Sequence, residues 1–98
     1  MPVASAPAAL GQNVPNPFNP TTEIRFTLRD RDRVRLNVYD VHGRVVTALA
    51  NGQLPAGPHR VQWTGKNAHG EPVASGVYFY RLTTASGYAE SKRMVLLK

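Results

Sequence analysis

Asn16-Pro17-Phe18-Asn19-Pro20-Thr21-Thr22 stands directly before Glu23-Ile24-Arg25-Phe26-Thr27-Leu28, and this junction decides the fold. The prolines lack a backbone donor and have a fixed φ, so neither a helix nor a central strand passes through the first run. In the second run apolar and polar residues alternate, which is the period of a strand with one face inward and one face in water. The junction therefore predicts the front edge of a β domain, with Phe18 as the large apolar side chain that plugs the end of its core.

The two-residue period continues downstream and is interrupted by short turns. Glycine closes the four-residue turns Asp40–Gly43 and Asn67–Gly70, and Leu54–Pro58 is a further break. No segment has a helical period long enough to predict a helix. The predicted strands after Glu23–Leu28 are Arg33–Tyr39, Arg44–Ala50, a short strand containing Val61 and Trp63, Val77–Thr84 and Tyr88–Leu97. This pattern predicts an all-β fold, an immunoglobulin-like antiparallel β-sandwich of about seven strands.

Length and composition limit the chain to one small domain. It has 98 residues, of which 42% are hydrophobic, enough for a single core and no second one. Aromatic side chains on strands are more often core residues than ligand platforms, so we place Trp63, Tyr78 and Phe79 in that core. The chain has no cysteine, which excludes a disulfide framework, a thiolate metal site and a cysteine nucleophile.

The first twelve residues differ from the rest. Met1–Gln12 has prolines among alanines, without the basic segment and continuous apolar segment of a signal peptide. Its composition predicts a semi-extended, poorly ordered interdomain linker. No apolar stretch reaches the roughly 18 residues that a transmembrane helix needs. The predicted division is therefore a linker over residues 1–12 and the sandwich over residues 13–98.

Charge is the next constraint, because the formal net charge is +6 and the pI is near 10.3. The densest basic stretch is Arg29–Arg35, but Asp30 and Asp32 interrupt it, and Arg33 and Arg35 fall on the outward side of a predicted strand. A solvated strand face explains these arginines better than a phosphate track, and the chain has no aromatic RNA-binding signature and no basic recognition helix. We therefore exclude nucleic acid as the partner, while a salt-sensitive attraction to an anionic glycolipid or polymer stays open.

Residues that could carry chemistry do not form a recognisable pattern. His42, His59 and His69 have neither the strand spacing nor the helix spacing of a metal site. Ser75 lacks the two flanking glycines of a nucleophile elbow, and the glutamates are isolated along the sequence. A glycine-rich phosphate loop is absent from the sequence. The sequence thus predicts a protein that is not an enzyme and that has no catalytic residue, metal or cofactor.

Five motifs in a fixed order carry a resemblance to a known family. They are Asn13–Thr22, Val38–Arg44, Leu54–Gly57, Ala74–Leu82 and Lys92–Lys98. Over nearly the whole chain they resemble the successive motifs of the type A C-terminal sorting domains of the type IX (Por) secretion system. The same segments are similar to the immunoglobulin-like domain of flagellar hook-capping proteins, a relative in fold.

The sorting-domain resemblance implies a seven-stranded sandwich at the C-terminus of a larger protein that is secreted or held at the cell surface, in association with the outer membrane. Such a domain is recognised by the outer-membrane translocon and is usually removed by a surface sortase, which joins the cargo to an anionic lipopolysaccharide. Carried over to this sequence, the recognition residues are Pro15, Asn16, Pro17, Gly76, Tyr78, Lys92, Arg93 and Lys98. Each of these residues also has a possible structural role beside recognition. Gly76 suits the entry into a strand, and Tyr78 suits a core position. The terminal cations suit an exposed edge strand, where charge discourages aggregation.

The mechanism that follows has the folded domain present a sheet edge and its basic last strand to the secretion machinery, with cleavage in the segment Ser5–Gln12. Two other classes of function stay open. One is a structural immunoglobulin-like module of a surface or flagellar hook-cap assembly. The other is a polysaccharide-binding accessory module of a secreted hydrolase, which would use exposed aromatic residues such as Tyr39 or Tyr88.

Overall fold

The computed structural model describes residues 6–98, and within them it contains seven strands and no helix. The strands are β1 (Ala8–Leu10), β2 (Thr22–Leu28), β3 (Asp32–Tyr39), β4 (Val45–Leu54), β5 (Gly57–Trp63), β6 (Gly76–Thr84) and β7 (Ala89–Leu96).

Two antiparallel sheets pack face to face. One has three strands in the order β1-β2-β5, and the other has four in the order β4-β3-β6-β7. Consecutive strands of the chain cross between the sheets at β2 to β3, β4 to β5 and β5 to β6. The architecture confirms the predicted immunoglobulin-like sandwich.

The core forms where the inward positions of both sheets meet. Buried residues alternate with exposed ones along β2, β3 and β6, as the sequence period predicts. The most deeply buried hydrophobic side chains are Phe18, Ile24, Leu28, Val34, Leu36, Val38, Tyr80, Leu82, Met94 and Leu96. At about 25 cal/mol per Å² of buried apolar surface, this layer is the main source of stability.

The turns Asp40–Gly43 and Asn67–Gly70 are held by the same pattern of side-chain hydrogen bonds. Asp40 Oδ1 accepts hydrogen bonds from the backbone N–H groups of His42 (2.9 Å) and Arg44 (3.0 Å), and Gly43 takes a φ of 81°. Asn67 Oδ1 does the same for His69 and Glu71, with Gly70 also at 81°. A short polar side chain at the first position and glycine at the fourth are what such turns require.

The prediction of a poorly ordered linker is wrong for Ala8–Leu10, which form β1. This strand pairs with the end of β2, and both Ala8 and Leu10 are buried. Pairing continues beyond it, since Gly11 N donates to Arg25 O (2.8 Å) and Val14 exchanges two backbone bonds with Glu23. Proteolysis at Ala8–Leu10 would therefore have to open a sheet edge, while residues 1–5, including Ser5 of the expected cleavage segment, lie outside the described residues.

Phe79 is a second correction. Trp63 and Tyr78 are buried as expected, but Phe79 points away from the core and is 37% exposed. Tyr78 and Phe79 are neighbours on β6, and successive side chains of a strand point to opposite faces. Only one of the two can therefore enter the core.

Candidate functional site

The proline run meets the last strand at one end of the sandwich. Phe18 N donates to Val95 O (3.0 Å), and Leu97 N donates to Phe18 O (2.9 Å). Beside them the Asn16 side chain accepts a hydrogen bond from Val95 N (3.0 Å). We call this region, made of residues 13–18, 74–78 and 95–98, the terminal corner. The proline run closes the end of the β7 edge, which would otherwise present unpaired backbone groups.

Two buried polar residues hold the proline run in place. Asn13 and Thr22 are almost completely buried, and Asn13 Nδ2 donates to Thr22 Oγ1 (3.0 Å). Thr22 Oγ1 in turn donates to Pro15 O (2.8 Å), which also accepts from Asn13 Nδ2 (3.2 Å). Because the buried Asn13 and Thr22 side chains would be costly to leave without partners, their bonds to Pro15 O fix the backbone of the run.

Tyr80 links the same segment to the core. Its hydroxyl donates to Gly11 O (2.7 Å) and accepts from Asn13 N (2.8 Å). Burial raises the pKa of Tyr80 to about 12, although the bond from Asn13 N acts in the opposite direction. The hydroxyl therefore stays protonated and keeps its donor role.

An aromatic cluster lies beneath the terminal corner. The ring of Trp63 lies 5.6 Å from that of Phe18 and 5.3 Å from that of Tyr78, in tilted and edge-on arrangements that aromatic pairs prefer. The Trp63 indole N–H donates to Lys66 O (2.9 Å), and the Tyr78 hydroxyl donates to Ala74 O (2.7 Å). Desolvation, with a smaller effect of the Asp40 charge, raises the pKa of Tyr78. Tyr78 is therefore a satisfied core tyrosine whose polar tip lies at the corner.

The structure brings six of the eight predicted recognition residues to the terminal corner. They are Pro15, Asn16, Pro17, Gly76, Tyr78 and Lys98. Gly76 lies opposite Leu96 with a φ of 148°, which other residues rarely adopt, and a Cβ there would meet nothing within 4 Å. Lys98 N donates to Ser75 Oγ (3.1 Å). Glycine at position 76 is thus required by backbone conformation and not by close packing.

Lys92 and Arg93 lie farther along β7 and on opposite faces of it. Lys92 Nζ lies 3.4 Å from Glu90 Oε2, whereas Arg93 is exposed and lies opposite Phe79. Neither is at the terminal corner. Six of the predicted recognition residues therefore lie at the terminal corner, and Lys92 and Arg93 lie outside it.

Tyr88 is not the exposed platform that the sequence suggested. Its hydroxyl donates to Glu90 and accepts from Leu10 N (3.1 Å), so it bridges β7 and β1. Burial and the neighbouring Glu90 carboxylate raise the pKa of Tyr88 to about 12, and the same hydrogen bond lowers the pKa of Glu90. This contact depends on β1, which sequence analysis did not find.

Asn13, at the corner, and Thr22, which bonds to it from the start of β2, are the residues that sequence reasoning missed. A signal was present, because both are polar and flank the proline run on the two sides. Their burial depends on the return of the chain from the corner into β2. Within residues 6–98, no group of three or more His, Cys, Asp or Glu side chains could hold a metal, and no helix there is long and apolar enough to cross a membrane.

Comparison with known proteins identifies relatives of this architecture. A protein-family model for the FlgD Ig-like domain matches residues 12–88. The basal-body rod modification protein FlgD of Salmonella typhimurium is 39% identical over 56 residues, which are 57% of this chain and 24% of that protein. The chain therefore spans about a quarter of the length of the curated relatives it matches.

Solved structures share the fold. FlgD from P. aeruginosa is 29% identical with a TM-score of 0.60, over 78% of this chain and 59% of that one. Dimeric latent PorU from Porphyromonas gingivalis has a TM-score of 0.74 and 22% identity, over 95% of this chain and 10% of that one. The likeness to PorU is one of fold.

Proposed function

The chain belongs to the FlgD Ig-like domain family, and from that premise we propose that it is a structural, non-catalytic module of a surface or flagellar hook-cap assembly, carried by a longer protein. The family match over residues 12–88 carries the proposal. It is supported by the identity to Salmonella FlgD, a basal-body rod modification protein. A module of this kind works outside the cytoplasm and acts through contacts.

The geometry suits a load-bearing module. Residues 11–14 pair with β2, and residues 16–18 then bond to the end of β7, so the entering chain contacts both sheets. A pull on the entering chain is therefore resisted by β2 and β7 together. Such a module can fix the position of a neighbouring domain without large loops of its own.

A domain exchange tests the proposal. The matched Ig-like region of Salmonella typhimurium FlgD is replaced by the 98-residue chain and expressed in a strain that lacks FlgD. We expect hooks to form and swimming to be restored at least in part. The matched control is the same chimera with Trp63→Ala, which removes the centre of the aromatic cluster and is expected to abolish rescue. A chimera that is folded and exported but forms no hooks would contradict the hook-cap proposal.

A second candidate function is a C-terminal sorting domain recognised by the type IX outer-membrane translocon, with subsequent processing by a surface sortase. The observation that favours it is the convergence of six of the eight residues implied by that resemblance at the terminal corner. Segments distant in sequence thereby form one surface that a receptor could read. Contact with anionic lipopolysaccharide belongs to this candidate and not to the first.

Surface display of a reporter tests the second candidate. The chain is fused behind a signal peptide and an inert reporter in a bacterium with a type IX system. Deletion of Val95–Lys98 would also remove Leu96, a fully buried core residue, so a loss of display would not separate unfolding from lost recognition. We instead expect Asn16→Ala with Lys98→Ala to abolish display, and Asn51→Ala with Arg33→Ala, at the opposite end of the four-stranded sheet, to leave it intact. Equal display of both double variants would reject sorting through the corner.

A further inference from the structure

The two sheets differ in how their outward arginines are neutralised. On the three-stranded sheet, Arg25 and Arg60 share the Glu23 carboxylate, at 2.9 and 3.8 Å. On the four-stranded sheet, Arg35, Arg81 and Arg93 are exposed and, within residues 6–98, their side chains form no ion pair or hydrogen bond. The outer face of the four-stranded sheet therefore carries positive charge that ion pairs among the described residues do not neutralise.

These three arginines lie on one line. Arg93 on β7 is opposite Phe79, which is two residues from Arg81 on β6. Arg81 is opposite Asn37, which is two residues from Arg35 on β3. Each step is a diagonal neighbour, about 7–8 Å between backbones. We call this line of Arg93, Arg81 and Arg35 the arginine diagonal. It matches a ligand whose negative charges repeat along one direction, as in an extended acidic polymer.

An aromatic groove adjoins the diagonal. Tyr39 and Phe79 lie directly opposite each other on β3 and β6. With Arg81 and Ser91 they line an open groove of about 490 Å³ that extends to the turn at Asp40–Gly43. Nearby Val41 and Val45 are 63% and 59% exposed, so the groove is apolar on one side and cationic on the other. An amphipathic ligand with acidic groups fits this division.

Carboxylates near the groove do not cancel its charge. The outward positions of β3, β6 and β7 hold no Asp or Glu, and β4 contains none. Asp40 borders the groove, but Arg44 Nε lies 3.0 Å from its carboxylate, and backbone bonds from Arg44 and His42 help lower its pKa. Among the described residues that line the groove, Asp40 is the only carboxylate, and Arg44 already engages it.

Asn37 lies beside the groove but does not offer it a free acceptor. Its Nδ2 contacts the Tyr39 hydroxyl at 3.4 Å, and its Oδ1 is buried, without a partner among the described residues. An atom with no exposed surface cannot accept a hydrogen bond from a ligand on the outer face. The features that favour a sugar are therefore the rings of Tyr39 and Phe79 beside the arginines.

We propose that the outer face of the four-stranded sheet binds an acidic polysaccharide, with its carboxylates along the arginine diagonal and a sugar ring against Tyr39 and Phe79. Guanidinium groups bind carboxylates through paired, charge-assisted hydrogen bonds. The aromatic rings supply apolar contact for the C–H face of the sugar. This site is separate from the terminal corner and does not depend on either function proposed above.

The test is calorimetric titration of the intact chain with oligogalacturonate at low ionic strength, with its methyl ester as the neutral ligand. We expect binding of the acid and none of the ester. Arg81→Gln with Arg93→Gln should weaken binding about tenfold or more. The matched control, Arg25→Gln with Arg60→Gln, removes the same charge from the other sheet and should leave affinity within about threefold. Phe79→Ala should weaken binding without any change of charge.

Four outcomes would overturn the proposal. They are no binding of oligogalacturonate, equal binding of the ester, equal weakening by the two double variants, and tighter binding of a single-stranded oligothymidylate than of oligogalacturonate. Equal weakening would mean attraction by net charge alone, and the last outcome would mean a nucleic-acid surface. Circular dichroism and urea unfolding of each variant check the fold, which exposed Arg→Gln changes should leave intact.

Discussion

At the scale of single residues, the Tyr80 hydroxyl is the polar group that holds the entering chain, residues 11–13, to the core. It lies inside the sandwich, yet it bonds to Gly11 O and Asn13 N, which belong to the chain entering the fold. Asn13 in turn bonds to Thr22 and Pro15. One hydroxyl thus connects the core of the four-stranded sheet to the backbone that leads into the terminal corner.

Replacement of this hydroxyl gives the first stability prediction. Tyr80→Phe leaves the Asn13 N–H and the Gly11 carbonyl without their partner, so we expect a loss of about 1–3 kcal/mol in the free energy of unfolding. Tyr39→Phe is the matched control, because its hydroxyl has only a 3.4 Å contact on the outer face, and it should change stability by less than about 0.5 kcal/mol. Urea unfolding followed by Trp63 fluorescence measures both. Equal stability of the two variants would show that the Tyr80 bonds contribute nothing.

At the scale of elements, β1 makes the chain before the proline run part of the sandwich. It is three residues long and is the edge strand of the three-stranded sheet. Leu10 is buried at 7% exposure, and its backbone N–H meets Tyr88 across the gap between the sheets. β1 therefore joins two layers as well as extending one.

Leu10 gives the prediction for this element. Leu10→Ala should lower the free energy of unfolding by about 2–5 kcal/mol, because it removes buried methyl groups from the core. Ala9→Ser, at the outward position of the same strand, should cost less than about 0.5 kcal/mol. Guanidinium unfolding of both variants is the measurement. A fully stable Leu10→Ala protein would place β1 outside the cooperative fold.

At the scale of the whole molecule, the basic side chains outnumber the carboxylates that could neutralise them. The net charge is +6, and the ion pairs among the described residues are at exposed or partly exposed positions, where such pairs contribute little. The arginine diagonal concentrates part of the excess on one face. Self-repulsion of this kind destabilises a compact state.

Added salt should therefore stabilise the domain. Between 10 and 100 mM NaCl the Debye length falls from about 30 to about 10 Å, so repulsion between surface charges is screened and we expect Tm to rise by a few degrees. Arg81→Gln with Arg93→Gln lowers the net charge from +6 to +4 and should show a smaller rise. Differential scanning calorimetry measures the effect. A Tm that falls with salt would mean that the ion pairs outweigh the repulsion.

Local chemistry explains what could be predicted from the sequence. The alternation in Glu23–Leu28 and the Asp40 and Asn67 turns act within a few residues, so pattern alone predicts the β2 strand, both turns and the class of fold. Ala8–Leu10 gave no such signal, because a three-residue strand of small residues has no measurable period. Its strand character comes from pairing with β2.

The sequence by itself determined the alternating strands, the turns that end them, the rigid proline run and the excess of positive charge, because these properties reside in neighbouring residues. Only the tertiary structure decided that Tyr78 faces inward and Phe79 outward, since the choice depends on which face of β6 meets the other sheet. It also decided that Asn16 meets Val95 and that three arginines from separate strands form one line. Register between strands distant in sequence sets those distances, and no local pattern contains it.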